Sequence, residues 1–178
     1  VKTSAADIRA LAASNTVAVA LPCTPFGLAQ PEYTPAKEIL AAGGLLAIAS
    51  DINPGTAWCE SMQFVIALAC RYLKLTPAQA VATATINAAA AIDRADRIGS
   101  IEVGKQADLV CVDLGQLETQ PLHNVISQLV YATGRHQVSD VWIAGVSRLE
   151  NRVLVDMDID GIMANARQWR ERIASVRG

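Results

Sequence analysis

Aromatic residues, histidine and excess charge are all scarce in this chain, and each shortage limits what the protein can be. Of its 178 residues, 52% are hydrophobic but only 4% are aromatic. The core must therefore be built from Ala, Val, Ile and Leu, which suits helices packed on a parallel sheet. The formal net charge of -2 gives no electrostatic reason to expect nucleic acid or an anionic membrane as a partner.

Long hydrophobic runs and targeting signals are also missing. Asp51, Glu60 and Arg71 interrupt the most apolar region, so no stretch approaches the ~20 apolar residues of a membrane span. No charged start is followed by an apolar run and a small-residue cleavage site. The chain begins with Val1 rather than an initiator Met, and we expect it to be a cut made inside a longer chain.

Cysteine is present without any spacing that indicates a metal site. The four residues are Cys23, Cys59, Cys70 and Cys111, with no CxxC pair and no histidine at zinc-site intervals. Cys70 and Cys111 stand in apolar runs, which predicts that they are small core residues. We therefore predict free thiols and a reducing, cytoplasmic environment.

The first half of the chain alternates between helix and strand, which is typical of an α/β fold. Ser4 with Asp7 forms a capping box, and Thr34-Pro35 and Thr76-Pro77 open later helices. The predicted order is helix 4–13, strand 16–21, an irregular Pro- and Gly-rich loop 22–27, a helix from 34 to about 43, strand 45–50, and helices 58–73 and 77–92, of which the last is expected to be buried.

The second half has a different pattern. Short strands are predicted over residues 107–113, 139–144 and 153–155, with Gly145 helping to turn the chain. A helix over 159–176 closes the sequence. We place the boundary between about residues 95 and 104, so that residues 1–98 form an α/β unit and residues 99–178 form a small β-rich unit with a C-terminal helix.

Three polar residues follow the apolar strand 45–50 directly. Asp51, Asn53 and Thr56 surround a Pro-Gly turn, and strand ends of this kind carry the chemistry in α/β barrels and open α/β sheets. The alternative is that Asp51 and Asn53 only form a polar turn after the strand. Residue types alone do not separate these two interpretations.

Two runs of sequence together resemble the amidohydrolase superfamily of metal-dependent hydrolases. The first is the strand-end pair Ser50-Asp51, and the second is Gly99-Ser100-Ile101-Glu102-Val103-Gly104-Lys105-Gln106-Ala107-Asp108-Leu109-Val110. The resemblance implies an α/β fold, namely the C-terminal portion of a metal-dependent (β/α)8 barrel plus a small β-sandwich-like domain and a C-terminal helix. The second run resembles the place where such chains leave the barrel.

Two subfamilies compete within this resemblance. Residues 6–92 look like imidazolonepropionase, a ring-opening hydrolase, chiefly through Asp51-Ile52-Asn53-Pro54-Gly55-Thr56. Residues 117–174 look like methylthioadenosine and S-adenosylhomocysteine deaminases, through the runs 118–125, 127–132 and 140–145. The chain is either a divergent member or a product of two joined pieces. The strand-end loop favours imidazolonepropionase over the deaminases, because function follows the site rather than the scaffold.

The resemblance also implies roles for residues of this loop. Asp51 would be the metal ligand from the eighth barrel strand and would shuttle the proton of the attacking water, with zinc or iron as the metal. Asn53, Gly55 and Thr56 would line the substrate pocket. The implied reaction converts 4-imidazolone-5-propanoate into N-formimino-glutamate, in the degradation of histidine.

One departure from the superfamily is large. Its first-strand His-x-His pair and later-strand histidines have no counterpart, since the only histidines are His123 and His136, both in the predicted small domain. Asp51 alone cannot hold a catalytic metal, which needs about three protein ligands. We therefore expect the isolated chain to be inactive and to contain only the last two barrel strands.

Two further functions stay open beside the imidazolonepropionase-like one. The first is an aminohydrolase of the methylthioadenosine type, favoured by residues 117–174. The second is a non-catalytic fragment, favoured by the missing histidines. In every case the apolar strands would be exposed without their partner strands, so we expect either a homo-oligomer or a lost N-terminal segment.

Overall fold

A computed structural model of the protein describes residues 3–176. It contains eight described α-helices and six described strands in two sheets. The helices are α1 Ala5–Ala12, α2 Cys23–Gly27, α3 Ala36–Ala41, α4 Met62–Tyr72, α5 Pro77–Ala84, α6 Ile86–Ala91, α7 Val125–Tyr131 and α8 Ile159–Val176. The strands are β1 Val17–Ala20, β2 Leu45–Ile48, β3 Leu109–Val112, β4 Val138–Ile143, β5 Val146–Glu150 and β6 Val153–Leu154.

The first sheet is a parallel pair. Strand β1 lies beside β2 in a register that places Val17 opposite Leu45 and Ala20 opposite Ile48. Both strands therefore end at the same edge, which is where a site is expected in a parallel α/β structure. The side chain of Asn87, at the start of α6, donates a hydrogen bond to the carbonyl oxygen of Leu46 at 2.9 Å. This bond links α6 to β2.

The main core lies between β2 and the helices that precede and follow it. Leu46 and Ile48 of β2 are buried, as are Val65 and Leu68 of α4 and Ile39 of α3. The buried cluster is aliphatic, as the low aromatic content predicted. Burial of such side chains stabilises the fold by roughly 1.5–3 kcal/mol each.

Local capping signals set several helix ends as predicted. The Ser4 hydroxyl accepts a hydrogen bond from the amide of Asp7, whose carboxylate accepts one from the amide of Ser4. The same reciprocal box joins Thr76 and Gln79 before α5. Helix α8 spans the predicted residues.

Other expectations were wrong. Residues 22–27 were predicted to be irregular but form α2, because Pro25 stands in its first turn, where amides have no intrahelical partner. The predicted helix 77–92 is two helices, broken at Thr85 (φ -118°, ψ -93°). It is only partly buried, with Ala80, Thr83 and Ala89 inside. Cys111 is exposed rather than in the core.

Two helix starts and two whole elements also differ from prediction. Helix α3 begins at Ala36 without a side-chain cap from Thr34. Helix α4 begins at Met62 rather than Trp58, because the Ser61 hydroxyl accepts a hydrogen bond from the amide of Phe64. The sequence patterns predicted neither strand β5 nor helix α7.

The second sheet is antiparallel, with the order β3-β4-β5-β6. In the part of the chain that the structure describes it is one layer, so the predicted β-sandwich is not confirmed. Helix α7, between β3 and β4, returns to the first half: Gln63 of α4 donates hydrogen bonds to the carbonyl oxygens of Leu129 and Thr133. The division into residues 1–98 and 99–178 stays a prediction; α7 belongs to the second part and contacts α4 of the first.

Within residues 3–176, none of the helices combines the length and the apolar character that a membrane crossing requires.

Candidate functional site

The strand-end acid stands where the two parallel strands finish. Asp51 lies three residues after β2, in the left-handed region with φ +52°, and is exposed. Asp is one of the few residues that adopt this conformation readily, because its short polar side chain bonds locally. The turn of the chain after β2 therefore presents a carboxylate at the sheet edge.

A second residue, which the sequence analysis did not predict as part of the site, is hydrogen-bonded to that carboxylate. The hydroxyl of Thr24 donates a hydrogen bond to Oδ2 of Asp51 at 2.8 Å. Thr24 lies in α2, directly after β1, so the bond joins the ends of both parallel strands. The available signal was its position after the neighbouring strand, since such strands end at the same edge.

The loop after Asp51 is organised by the side chain of Asn53. Its Oδ1 accepts hydrogen bonds from the amides of Gly55 (2.9 Å) and Thr56 (2.8 Å) and from the Thr56 hydroxyl (3.3 Å). Its Nδ2 donates to the carbonyl oxygen of Asp51 at 2.6 Å. The structure thus places all three predicted pocket residues in one turn of the Asx type. Their contact with substrate stays a prediction.

Helix α2 lies directly against this loop. A Cβ on Gly27 would stand 2.3 Å from the carbonyl oxygen of Thr56, so only glycine permits the approach. One residue earlier, the ring of Phe26 meets that of Phe64 edge to face, with centroids 5.4 Å apart. The indole of Trp58 donates to the carbonyl oxygen of Pro54 at 2.8 Å and stays exposed.

Two thiols are neighbours beside the loop: Cys23, the first residue of α2, and Cys59. Burial raises the pKa of the Cys23 thiol to about 12, and the neighbouring thiol of Cys59 adds to the shift. Cys23 is therefore neutral at physiological pH. A neutral buried thiol is a structural group rather than a nucleophile.

An open cleft of about 310 Å³ runs beside β1. Its walls include Val19 of β1, Thr24 of α2 and Tyr33, which stacks on Tyr72 with centroids 4.4 Å apart. Thr24 belongs to both the cleft wall and the carboxylate contact. The cleft and the strand-end acid are therefore adjacent.

The donor set for a metal is incomplete. Among residues 3–176, no group of three or more His, Cys, Asp or Glu side chains could hold a metal ion. His136 instead forms an exposed pair with Glu118, with 3.1 Å between Nε2 and Oε1. Asp51 fits a metal site as the source of one carboxylate ligand, and the described residues do not provide the rest.

A parallel β/α unit with an acid at its strand end is the arrangement of α/β enzymes, whose chemistry lies where the strands end. The chain belongs to the amidohydrolase family, whose family model matches residues 1–148. This confirms the family resemblance seen in the sequence, and the relatives of this chain are hydrolytic enzymes.

Relatives of both expected subfamilies are similar to the chain. An imidazolonepropionase from Herpetosiphon aurantiacus is 53% identical over 114 residues, which cover 64% of this chain and 27% of that protein. One from Treponema denticola is 47% identical over 78% of this chain and 31% of its own length. A 5-methylthioadenosine/S-adenosylhomocysteine deaminase from Teredinibacter turnerae is 48% identical over 55% of this chain and 22% of its own length.

Two solved structures are similar to the chain in fold. A zinc-bound adenosine deaminase from Xanthomonas campestris has a TM-score of 0.86 at 44% identity, covering 97% of this chain and 40% of that one. An atrazine chlorohydrolase from Arthrobacter aurescens complexed with zinc has a TM-score of 0.80 at 22% identity, covering 94% and 39%, and shows the fold alone. The chain thus spans less than a third of these curated relatives and about two fifths of these structures.

Proposed function

We propose that this chain is the C-terminal part of an imidazolonepropionase-like hydrolase that opens a cyclic amide C–N bond with the help of a divalent metal. The observation that carries the proposal is the loop from Asp51 to Thr56 at the shared end of β1 and β2, with Thr24 bonded to the acid. The 53% identity to the Herpetosiphon aurantiacus enzyme supports it.

In this proposal β1 and β2 are the last two strands of a (β/α)8 barrel. Val19 and Leu45, on these two strands, are 48% and 47% exposed, although apolar barrel strands are normally covered on both faces. Further strands would cover them and bring the remaining ligands. We therefore propose that the competent enzyme includes an N-terminal part and that the isolated chain is inactive.

Asp51 would provide one ligand to zinc, or to iron. A bound divalent metal would lower the pKa of a water molecule toward neutrality. Zinc is favoured because both solved relatives contain it. The Thr24 hydroxyl donates to Oδ2 of this carboxylate, so Oδ1 would be the oxygen offered to the metal.

The substrate step needs a proton acceptor and a polar pocket. Water would add to the ring carbonyl of 4-imidazolone-5-propanoate, Asp51 would take its proton and pass it to the leaving ring nitrogen, and the C–N bond would break to give N-formimino-glutamate. Gly55 is exposed and has no side chain, so a ligand can approach its backbone. Asn53 would act by fixing the loop, and Thr56 by presenting its hydroxyl.

A second candidate is an aminohydrolase of adenosine-type nucleosides. The Xanthomonas campestris adenosine deaminase is 44% identical across 97% of the chain, so one relative spans both halves and no joining of two pieces is required. The same acid would then assist water that displaces ammonia from an aminopurine. The free cysteines, all four of which lie in the described residues, support the cytoplasm as part of either proposal.

Two matched chimeras would separate the candidates. The N-terminal part of the Herpetosiphon aurantiacus enzyme, and separately that of the Xanthomonas campestris enzyme, would be joined to this chain and assayed for ring opening of imidazolonepropionate and for ammonia release from adenosine and methylthioadenosine. We expect ring opening by the first chimera, abolished by Asp51→Asn. Ammonia release by the second chimera alone would favour the deaminase. Folded chimeras that bind metal yet turn over neither substrate would indicate a non-catalytic fragment.

A further inference from the structure

Two cysteines that stand far apart in the sequence are neighbours beside the strand-end loop. Cys23 begins α2, directly after β1, and is buried, whereas Cys59 lies just beyond the turn that Asn53 organises and is half-buried. The two thiols are close enough that Cys59 adds to the rise in the pKa of the Cys23 thiol, after the larger effect of burial. The proposed hydrolysis uses neither thiol, so that reaction does not explain why they meet.

The backbone segments that carry the two thiols are packed against each other. Gly27, at the end of α2, approaches the carbonyl oxygen of Thr56 so closely that a Cβ would stand 2.3 Å from it. Cys23 belongs to the buried apolar cluster, and Cys59 packs against that cluster. The fold itself therefore holds the two side chains near each other, as a disulfide requires, since its Cβ atoms lie only about 3.8 Å apart.

The two sides of the pair differ in their freedom to adjust. Cys23 is set in a helix, whereas Cys59 lies in residues 58–61, which have no regular secondary structure and connect the turn to α4. The Sγ atom of Cys59 donates a long hydrogen bond of 3.6 Å to the carbonyl oxygen of Ser61, and such thiol bonds are weak. Cys59 is therefore the side that can move to reach the bond length of about 2.05 Å between disulfide sulfurs.

We propose that Cys59 is a site of reversible oxidation by peroxide and that Cys23 is the partner with which it forms a disulfide, so that the bond links α2 to the strand-end loop. In the first step the Cys59 sulfur attacks one peroxide oxygen, the O–O bond breaks, and a sulfenic acid and a water molecule result. In the second step this sulfenic acid condenses with the Cys23 thiol. The S–S bond forms, and the Cys23 proton leaves with the sulfenic hydroxyl group as a second water molecule.

The roles of the two thiols differ because their surroundings differ. Cys23 does not react with the oxidant itself, since it is buried and its raised pKa keeps it protonated. It reacts only with a sulfur that the fold holds beside it. The second step should therefore be slower than the first, and the sulfenic acid of Cys59 should accumulate before the disulfide. A dithiol reductant restores both thiols by two exchange steps.

The disulfide would restrict the strand-end loop. Cys23 directly precedes Thr24, whose hydroxyl donates to Asp51, and Cys59 follows the turn in the same loop. The bond would therefore tie the end of the loop to the helix that already contacts its beginning. We expect the amides of Gly55 and Thr56 to exchange with solvent several-fold more slowly in the oxidised chain. This effect depends on the loop geometry alone and holds whichever reaction the whole protein catalyses.

Peptide mapping of the folded chain after treatment with hydrogen peroxide tests the proposal. The Cys111→Ser variant is the form to use, because it lacks the exposed thiol of β3. Trypsin leaves Cys23 in peptide 10–37 and Cys59 in peptide 38–71. We expect these two peptides to be joined, with only Cys70 open to alkylation after unfolding. Dithiothreitol should separate the peptides and restore every thiol.

The intermediate and two variants provide further readouts. Dimedone, which reacts with sulfenic acids, should label Cys59 at early times, and the yield of label should fall as the disulfide forms. Cys23→Ser removes the partner, so Cys59 should remain open to dimedone. Cys59→Ser changes a residue outside the helices, and it provides the control if circular dichroism shows that Cys23→Ser does not fold. Peroxide should then give no joined peptides and no slower exchange in the loop.

The proposal makes a specific claim about which sulfurs react. A folded chain in which Cys59 passes to sulfinic or sulfonic acid while Cys23 stays reduced would overturn it. A bond from Cys59 to Cys70 would overturn it too, as would a bond between Cys23 and Cys59 that forms only in urea. Each of these results would show that the fold does not hold the two sulfurs in position to react.

Discussion

The hydroxyl of Thr24 reaches Oδ2 of Asp51 over 2.8 Å, across 27 residues of sequence. The bond connects the first helix after β1 with the acid after β2, so the two parallel strands share one polar contact at their ends. It also fixes the orientation of a carboxylate that is otherwise exposed to solvent and free to rotate. A carboxylate that acts as a metal ligand or a proton acceptor depends on such an outer partner.

Replacing Thr24 should therefore reduce function without unfolding the chain. Thr24→Val keeps the shape of the side chain but removes the donor, and loss of an outer partner of this kind lowers metal affinity or activity by roughly 10–100-fold. Thr24→Ser retains the hydroxyl and should retain most of both. The measurement is zinc affinity and kcat/KM in whichever chimera is active. Equal values for the Val variant and the parent would show that Asp51 needs no partner.

Gly27 should not tolerate a side chain. A methyl group there would lie 2.3 Å from the Thr56 carbonyl oxygen, so α2 and the strand-end loop would have to separate. We expect Gly27→Ala to lower the free energy of unfolding by about 1–3 kcal/mol, as overpacking does elsewhere. Gly115→Ala is the control, because its methyl would meet a side-chain oxygen of Asp113 at 3.2 Å. Urea unfolding of the isolated chain gives both values, and equal effects would contradict the contact.

The side chain of Asn53 should control the order of the loop. Asn53→Ala removes the acceptor of the Gly55 and Thr56 amides, so both amides should exchange with solvent faster, and stability should fall by about 1 kcal/mol. Asn53→Asp keeps an acceptor oxygen and should preserve much of the protection. Hydrogen exchange followed by NMR checks both. Unchanged exchange in the Ala variant would mean that the main chain alone holds the turn.

The sequence predicted the features that depend on neighbouring residues. The capping box at Ser4, the parallel strands, the full extent of α8 and the family all follow from local patterns. The break at Thr85 was hidden, because many Ala residues stand before it and a run of four follows at 88–91, and Ala has the highest helix propensity. Helix α2 was hidden because Pro25 reads as a helix breaker unless its place in the first turn is known.

The remaining features depend on contacts that the sequence does not show. Thr24 meets Asp51 only because β1 and β2 are paired in a particular register. Cys111 was expected in the core from its apolar neighbours, yet whether that face of β3 is covered depends on which element packs there. Tertiary context decides such cases, because the same strand pattern suits a covered and an open face.

The buried thiol of Cys23 should make the protein less stable at alkaline pH. Its pKa rises from 9.0 to about 12 on folding, first through burial and then through Cys59. Below pH 9 the thiol is neutral in both states and its contribution is fully present. Between about pH 9 and 12 the unfolded chain loses the proton while the folded chain keeps it. The free energy of unfolding must therefore fall as the pH rises through this range.

Urea unfolding of the parent and of Cys23→Ala at pH values from 7 to 10.5 isolates this effect. The variant loses packing at every pH but has no thiol to ionise, so its deficit relative to the parent should shrink above pH 9. A constant deficit for Cys23→Ala would mean that the thiol ionises equally in both states, and that the packing of α2 against the loop leaves it accessible to water.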